Sequence, residues 1–163
     1  MKQTITFGTS GYRGIIDKTF THKHVTAIAY SIATYINEQK LTPKIAIAYD
    51  TRKGNSSELK ENSFTKTLTT TLSQLNISVL FCSTPTPTPV LSWIVATQSL
   101  GGGIILTASH NTPDYNGIKF VPTSGAPAST QVTSQLEKNA NQFFNNPTPL
   151  PAATPSLITY IDE

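Results

Sequence analysis

Cysteine is almost absent from this chain. One residue of 163, Cys82, carries a thiol. A single thiol closes no internal disulfide, and no Cys/His spacing of the zinc-binding kind accompanies it. Charge is scarce as well. Lys and Arg number 12 and Asp and Glu 9, so charged residues make up 13% and the net charge is +3. Only Arg52 and Lys53 of the basic residues are adjacent. Without a basic run there is no nucleic-acid-binding arm, and no nucleic-acid partner is expected. Long hydrophobic runs are missing too. Gln98, Ser99 and Gly101 to Gly103 interrupt the longest apolar stretch, so nothing reaches the roughly 18–20 residues of a membrane span. The N-terminus lacks the apolar core of a signal peptide. These absences lead to the expectation of a cytoplasmic domain with no membrane partner. Two catalytic signatures are also lacking: Gly-x-Ser-x-Gly, the nucleophile elbow of hydrolases, and Gly-x4-Gly-Lys-Ser/Thr, the nucleotide-binding P-loop.

What is present is enough for one core. Hydrophobic residues are 37% of the chain, and this length suits a single domain that needs no metal or disulfide staple. Residues 4–7 read as a short strand, with Gly8, Gly11 and Gly14 marking a tight loop after it. Val25, Ile28, Ile32, Tyr35 and Ile36 recur at helical spacing behind Thr21, a candidate N-cap. Residues 44–49 alternate bulky and small side chains as a strand. Leu59, Phe64, Leu68, Leu72 and Leu75 form the stripe of a second helix capped by Ser56 or Ser57. Residues 77–82 read as the third strand. The Thr-Pro run 84–89 is a stiff loop, since proline has no N–H. It leads into a helix capped by Thr88 and running to about residue 100. Residues 104–107 and 118–121 are strands around a polar loop at 108–116, and 130–144 is the last helix. Strands alternating with helices predict an α/β fold: a three-layer α/β/α domain whose mixed sheet is largely parallel. We assign that domain to residues 1–146. Residues 147–163 read as a Pro-rich linker and the start of a second domain that is missing. The four loops following strands are expected to converge at the carboxyl edge of the sheet, where open α/β sheets bind ligands.

The loop from Thr107 to Lys119 carries the most chemistry. Ser109 sits just past a strand end, followed by His110 and Asn111, with Lys119 on the returning strand. A nucleophilic oxygen, a proton carrier and a fixed cation are thus within reach of one hairpin. Serine needs activation, or must be held as a reactive derivative. A lysine near other charges, or buried, moves protons at neutral pH. Composition alone does not separate phosphoryl from acyl transfer, and Ser, His and Asn also serve as plain turn residues. Asp50 and Arg52 read as a structural loop clamp, His22 and His24 as surface residues at a helix start, and Trp93 as core or domain interface.

Thr107-Ala-Ser-His-Asn111 with Tyr115-Asn-Gly-Ile-Lys119 resembles the active-site serine loop of the α-D-phosphohexomutases, the phosphoglucomutases and phosphomannomutases. Phe7-Gly-Thr-Ser-Gly-Tyr-Arg-Gly14 is similar to that family's N-terminal loop. Tyr49-Asp-Thr-Arg52 and Pro87-Thr-Pro-Val-Leu91 are similar to its next two loops. Four motifs in order cover nearly the whole chain. Thr112 stands where the family most often has proline, with Pro113 one place later. Ser10 stands where the glucosamine-type enzymes usually carry aspartate, a difference that favours a hexose-phosphate mutase.

The resemblance implies that Ser109 carries a phosphate and exchanges it with the O1 and O6 positions of a hexose phosphate, through a bisphosphorylated sugar. Lys119 would be the general acid/base, with His110 assisting and Arg13 stabilising phosphate charge. Thr9 and Ser10 would line the site, while Asn111 and Asn116 would fix the loop or contact the phosphate. It also implies a glucose 1,6-bisphosphate-type activator and Mg2+, the latter held mainly by a loop in a missing domain, so that Ser109 meets the metal only through its phosphate. The partners implied are the hexose phosphate and the remaining domains of the same polypeptide. A fragment of this kind is not expected to be active alone. The alternative is a stand-alone phosphosugar-binding module without catalysis.

Overall fold

The computed structural model describes residues 4–9 and 11–161. Six strands form one sheet: β1 (Tyr12–Ile15), β2 (Lys44–Tyr49), β3 (Ser78–Cys82), β4 (Gly102–Leu106), β5 (Tyr115–Val121) and β6 (Ile158–Ile161). Their order is β1-β5-β4-β2-β3-β6. β4, β2, β3 and β6 run parallel, and β5 is antiparallel to both β4 and β1. The helices are α1 (His22–Glu38), α2 (Phe64–Gln74), α3 (Thr88–Thr97) and α4 (Thr130–Asn145). The expected mixed, largely parallel α/β/α sandwich is what the chain forms.

The alternation read in β2 decides how the layers pack. Ile45, Ile47 and Tyr49 join the large core beneath α1, α2 and α4. Ala46 and Ala48 face the other way, into a smaller core with Leu91, Ile94 and Val95 of α3. Small side chains on that face let a single helix sit close. At Gly103 of β4 the approach is closest, since a Cβ there would lie 2.6 Å from a Val95 methyl.

Several elements differ from the sequence expectation. Residues 4–7 are not a strand. Their backbone is held instead by side chains of α4. Asn141 accepts from Ile5 N–H (2.8 Å) and donates to its carbonyl (2.7 Å), and Glu137 accepts from Phe7 N–H (2.7 Å). The edge strand comes later, as β1, and takes in Arg13 and Gly14. The second helix starts at Phe64, capped by Ser63, whose hydroxyl accepts from Lys66 N–H (3.2 Å). Leu59 and Asn62 lie at φ 49° and 64°, so the segment after Ser56 turns rather than winds. α3 ends at Thr97, because Ser99 takes φ 51°. Residues 158–161, expected to start another domain, add a parallel strand beside β3.

Two side-chain expectations also change. Trp93 is 64% exposed and so is not core. His24 is buried rather than on the surface, stacked on Tyr12 with centroids 5.6 Å apart. Its Nδ1 accepts from Thr21 N–H (3.3 Å) and lies 2.8 Å from Thr21 Oγ1, closing the first turn of α1.

Candidate active site

Three of the four expected loops meet at the carboxyl edge of the parallel strands. Asp50 N–H donates to Leu106 O (3.0 Å) and Thr86 N–H to Tyr49 O (2.9 Å), which ties the ends of β2, β3 and β4 together. The fourth, with the Gly8–Gly11 turn, leads into β1 beside Ile118 and Lys119, and its Thr9 and Gly11 border one cleft with Thr88 of the Thr-Pro loop.

Ser109 begins the loop after β4. Its backbone is left-handed, at φ 55°, which a residue bearing a Cβ adopts at a cost of about 1–2 kcal/mol. Its N–H donates to Thr107 Oγ1 (3.0 Å), and Asn111 N–H donates to Ala108 O (3.1 Å), closing a tight turn around the serine. Ser109 Oγ lies 3.3 Å from Nδ1 and 3.2 Å from Nε2 of exposed His110. An oxygen nearly equidistant from both ring nitrogens is aligned with neither, so this is a contact and not a directed bond to a base.

Arg13 reaches the same turn from β1, where Nη1 donates to Asn111 Oδ1 (2.9 Å). Its stem crosses Gly117 of β5, where a Cβ would stand 3.0 Å from Arg13 Cγ and 2.5 Å from Tyr12 O. Lys119 pairs in register with Ile105, four residues before Ser109 on β4. It lines a cleft of about 280 Å³ with Phe7, Thr9, Thr88, Ser92 and Phe120. Ser109 borders a second cleft with Asp50, Arg52, Lys53 and Pro113. Lys119 and Ser109 therefore border different clefts, and Arg13, whose charge acts on Lys119, also reaches Asn111 of the Ser109 turn. Burial holds the Lys119 amine below its ordinary range, and repulsion from Arg13 lowers it further. Such an amine gives up its proton more readily at neutral pH.

The remaining candidates separate. Thr9 is exposed at the Lys119 cleft, and Ser10 lies outside the described residues. Asn116 is fully buried. Its amide donates to Lys53 O (3.3 Å) and Asn55 Oδ1 (3.0 Å), and its own oxygen accepts from Gly117 N–H (2.8 Å). Its side chain is thus bonded to the loop after β2 and to its own strand.

Arg52, expected to clamp the loop that feeds the next helix, grips the serine loop instead. Nη2 donates to Ser109 O and Asn111 O (both 2.8 Å), and Nη1 to Thr112 O (2.9 Å) and Tyr115 O (3.0 Å). Its Nε lies 3.3 Å from Asp50 Oδ2, without hydrogen-bond geometry. Nothing in the spacing of Tyr-Asp-Thr-Arg says which carbonyls the arginine will find, because they lie 57 to 63 residues away in sequence.

Among the described residues no three His, Cys, Asp or Glu side chains cluster to hold a metal. Asp50 borders the Ser109 cleft, but its carboxylate accepts from Arg52 N–H (3.0 Å) and Asn55 Nδ2 (3.2 Å) and pairs with the Arg52 guanidinium. Magnesium prefers octahedral oxygen ligation, and the described residues bring no such set of oxygen donors together. No helix among the described residues is long and apolar enough to cross a membrane.

The family model for the phosphoglucomutase/phosphomannomutase alpha/beta/alpha domain I matches residues 4–146. A phosphoglucomutase of Staphylococcus epidermidis is 32% identical over 98% of this chain, and one of Komagataeibacter xylinus is 32% identical over 87%. The chain spans 28% and 26% of their respective lengths. Among solved structures, a Thermus thermophilus protein assigned as a phosphomannomutase superposes over the whole chain and 34% of its own length, with a TM-score of 0.78 and 28% identity. The serine loop, the order of the elements and these similarities agree: the chain belongs to the phosphoglucomutase/phosphomannomutase family, as an alpha/beta/alpha domain I.

Proposed function

We propose that this domain is the phosphate carrier of a hexose-phosphate mutase, with Ser109 Oγ as the atom that holds the phosphoryl group. The observation that carries this reading is the left-handed turn at Ser109, closed by Thr107 and Asn111, with Arg13 bonded to that same Asn111. The turn lifts a hydroxyl clear of the sheet edge. Arg13 gives one N–H to Asn111, and the rest of its fork remains for phosphate oxygens, which a planar guanidinium binds two at a time.

In the transfer, a sugar hydroxyl oxygen bonds to phosphorus as the bond from phosphorus to Ser109 Oγ breaks. The hydroxyl proton passes to the Lys119 amine, whose depressed affinity for protons suits that role, and Ser109 Oγ leaves as the alkoxide and takes a proton from water. The reverse transfer from the other end of the bisphosphorylated sugar restores the carrier. The chain's own contribution is positioning and charge neutralisation, on which phosphoryl transfer largely depends. A glucose 1,6-bisphosphate-type activator would load the serine. Mg2+, if used, would be held by residues outside this chain.

Phosphopeptide mapping of the protein from its source, and of the chain treated with glucose 1,6-bisphosphate, tests the reading. Phosphate is expected on Ser109, and Ser109→Ala removes it while leaving the thermal transition in place. A source protein that carries no phosphate on Ser109 and accepts none from the bisphosphate would leave a phosphosugar-binding module instead.

A further inference from the structure

We infer that Arg52 is the positioning residue that holds Ser109 in its left-handed backbone conformation. This rests on the reading of Ser109 as the phosphoryl carrier, but the contacts behind it are separate. Four N–H groups of one guanidinium end on four carbonyls of a single loop, those of residues 109, 111, 112 and 115. The Arg52 side chain is only 12% exposed, and a buried cation is costly unless its donors are used. The donors that could reach a ligand are occupied by the loop, so Arg52 differs in role from Arg13.

The link to Ser109 is geometric. The carbonyls of Ser109 and Asn111 converge on one nitrogen, Nη2. Carbonyls two residues apart in an extended chain stand about 6.6 Å apart, farther than two 2.8 Å bonds to one nitrogen can span, so the chain must bend back between them. Positive φ at Ser109 and the turn from Asn111 N–H to Ala108 O supply that reversal. The loop has few apolar anchors: Ser109, Asn111 and Tyr115 are half-buried and residues 110 and 112–114 exposed. Thr107 and Arg13 also bond this turn, at Ser109 N–H and Asn111 Oδ1, but the side-chain bonds to the loop's carbonyls at 109, 111, 112 and 115 come from Arg52. Asp50 orients the clamp from the end of β2, with Oδ1 accepting from Arg52 N–H and Oδ2 beside Nε. Lysine cannot replace it, because an ammonium presents three donors around a point and not a planar fork.

A double-mutant cycle in the full chain tests this, with Ser109→Gly and Arg52→Lys as the two changes and the denaturation midpoint as readout. Glycine takes positive φ without strain. With Arg52 present, Ser109→Gly is expected to raise the midpoint. With Arg52→Lys it is expected to lose that gain, since the loop no longer holds φ positive. Backbone chemical shifts of Ser109 in the Arg52→Lys chain should move from left-handed to extended values. Equal midpoint shifts in both backgrounds, or unchanged Ser109 shifts, would overturn the inference. Global unfolding of the Arg52→Lys chain would also overturn it, by making Arg52 a residue of the whole fold. Loading of Ser109 by glucose 1,6-bisphosphate should slow by about 100-fold in Arg52→Lys, the scale of an ångström's misplacement. If the unsubstituted chain takes no phosphate while the cycle shows coupling, the carrier reading fails and the clamp stands. If the cycle is additive while loading is normal, the clamp fails and the carrier reading stands.

Discussion

At the scale of single residues, the site depends on what side chains lack as much as on what they carry. Gly117 shows this most plainly. The Arg13 stem lies over it, and backbone oxygens of Tyr12 and Thr107 stand 2.5 and 2.7 Å from where a Cβ would be. Backbone atoms cannot swing aside as a flexible side chain can. Gly117→Ala should therefore destabilise the chain by about 1–3 kcal/mol, the usual cost of overpacking. It should also displace Arg13 from Asn111. Chemical denaturation reads the first effect, and a midpoint unchanged from the parent chain would refute it. The sequence shows this glycine within Tyr-Asn-Gly-Ile-Lys but not the arginine that crosses it. That arginine comes from β1, whose residues 12–15 pair with residues 115–118 of β5.

At the scale of elements, two anchors hold segments that secondary structure alone leaves loose. The first is the cap of α1. His24 Nδ1 must be unprotonated to accept from Thr21 N–H, and burial lowers the affinity of this imidazole for protons. Above the ordinary value of 6.5 the histidine is neutral in both folded and unfolded chains, so it contributes no pH dependence there. As pH falls below that value the unfolded chain takes the proton first, and stability declines until the folded form protonates too. His24→Gln keeps an acceptor at the third helical position, as in a capping box, and removes the titration. Thermal melts from neutral to mildly acidic pH should show a smaller loss for that variant. An identical loss would place the acid sensitivity elsewhere.

The second anchor is Asn141, which stands in for a neighbouring strand by bonding both backbone groups of Ile5. Asn141→Ala leaves that buried residue's N–H and carbonyl unsatisfied, at about 1–3 kcal/mol. Hydrogen exchange at the Ile5 amide should accelerate well ahead of exchange in β2. Unchanged protection at Ile5 would show that packing alone holds the segment. Periodicity located α1, β2, β3 and α4 because their apolar faces repeat through the whole element. It misread residues 4–7, whose strand-like composition is met by helix side chains, and the start of α2, where left-handed residues break a pattern that apolar spacing alone continues.

At the scale of the whole molecule, the loops after β2, β3 and β4 lie at one edge of the sheet. The chain spans 28% and 26% of the lengths of the two relatives named above, and its described residues include no acidic cluster for a metal. We expect the purified chain alone to give no conversion of glucose 1-phosphate to glucose 6-phosphate in a coupled assay. Turnover approaching that of a complete mutase would mean that one domain suffices.

The sequence by itself determined the layered α/β class, most of the helices and strands, and the serine loop as the place to look, because these rest on local periodicity and on contiguous motifs. Tertiary structure alone decided that Lys119 and Ser109 border different clefts while Arg13 bonds the Ser109 turn, and that the Asn116 amide is bonded internally. It also decided that Arg52 closes on the serine loop. Each of these follows from strand register and from contacts between segments distant in sequence, which the linear pattern does not encode.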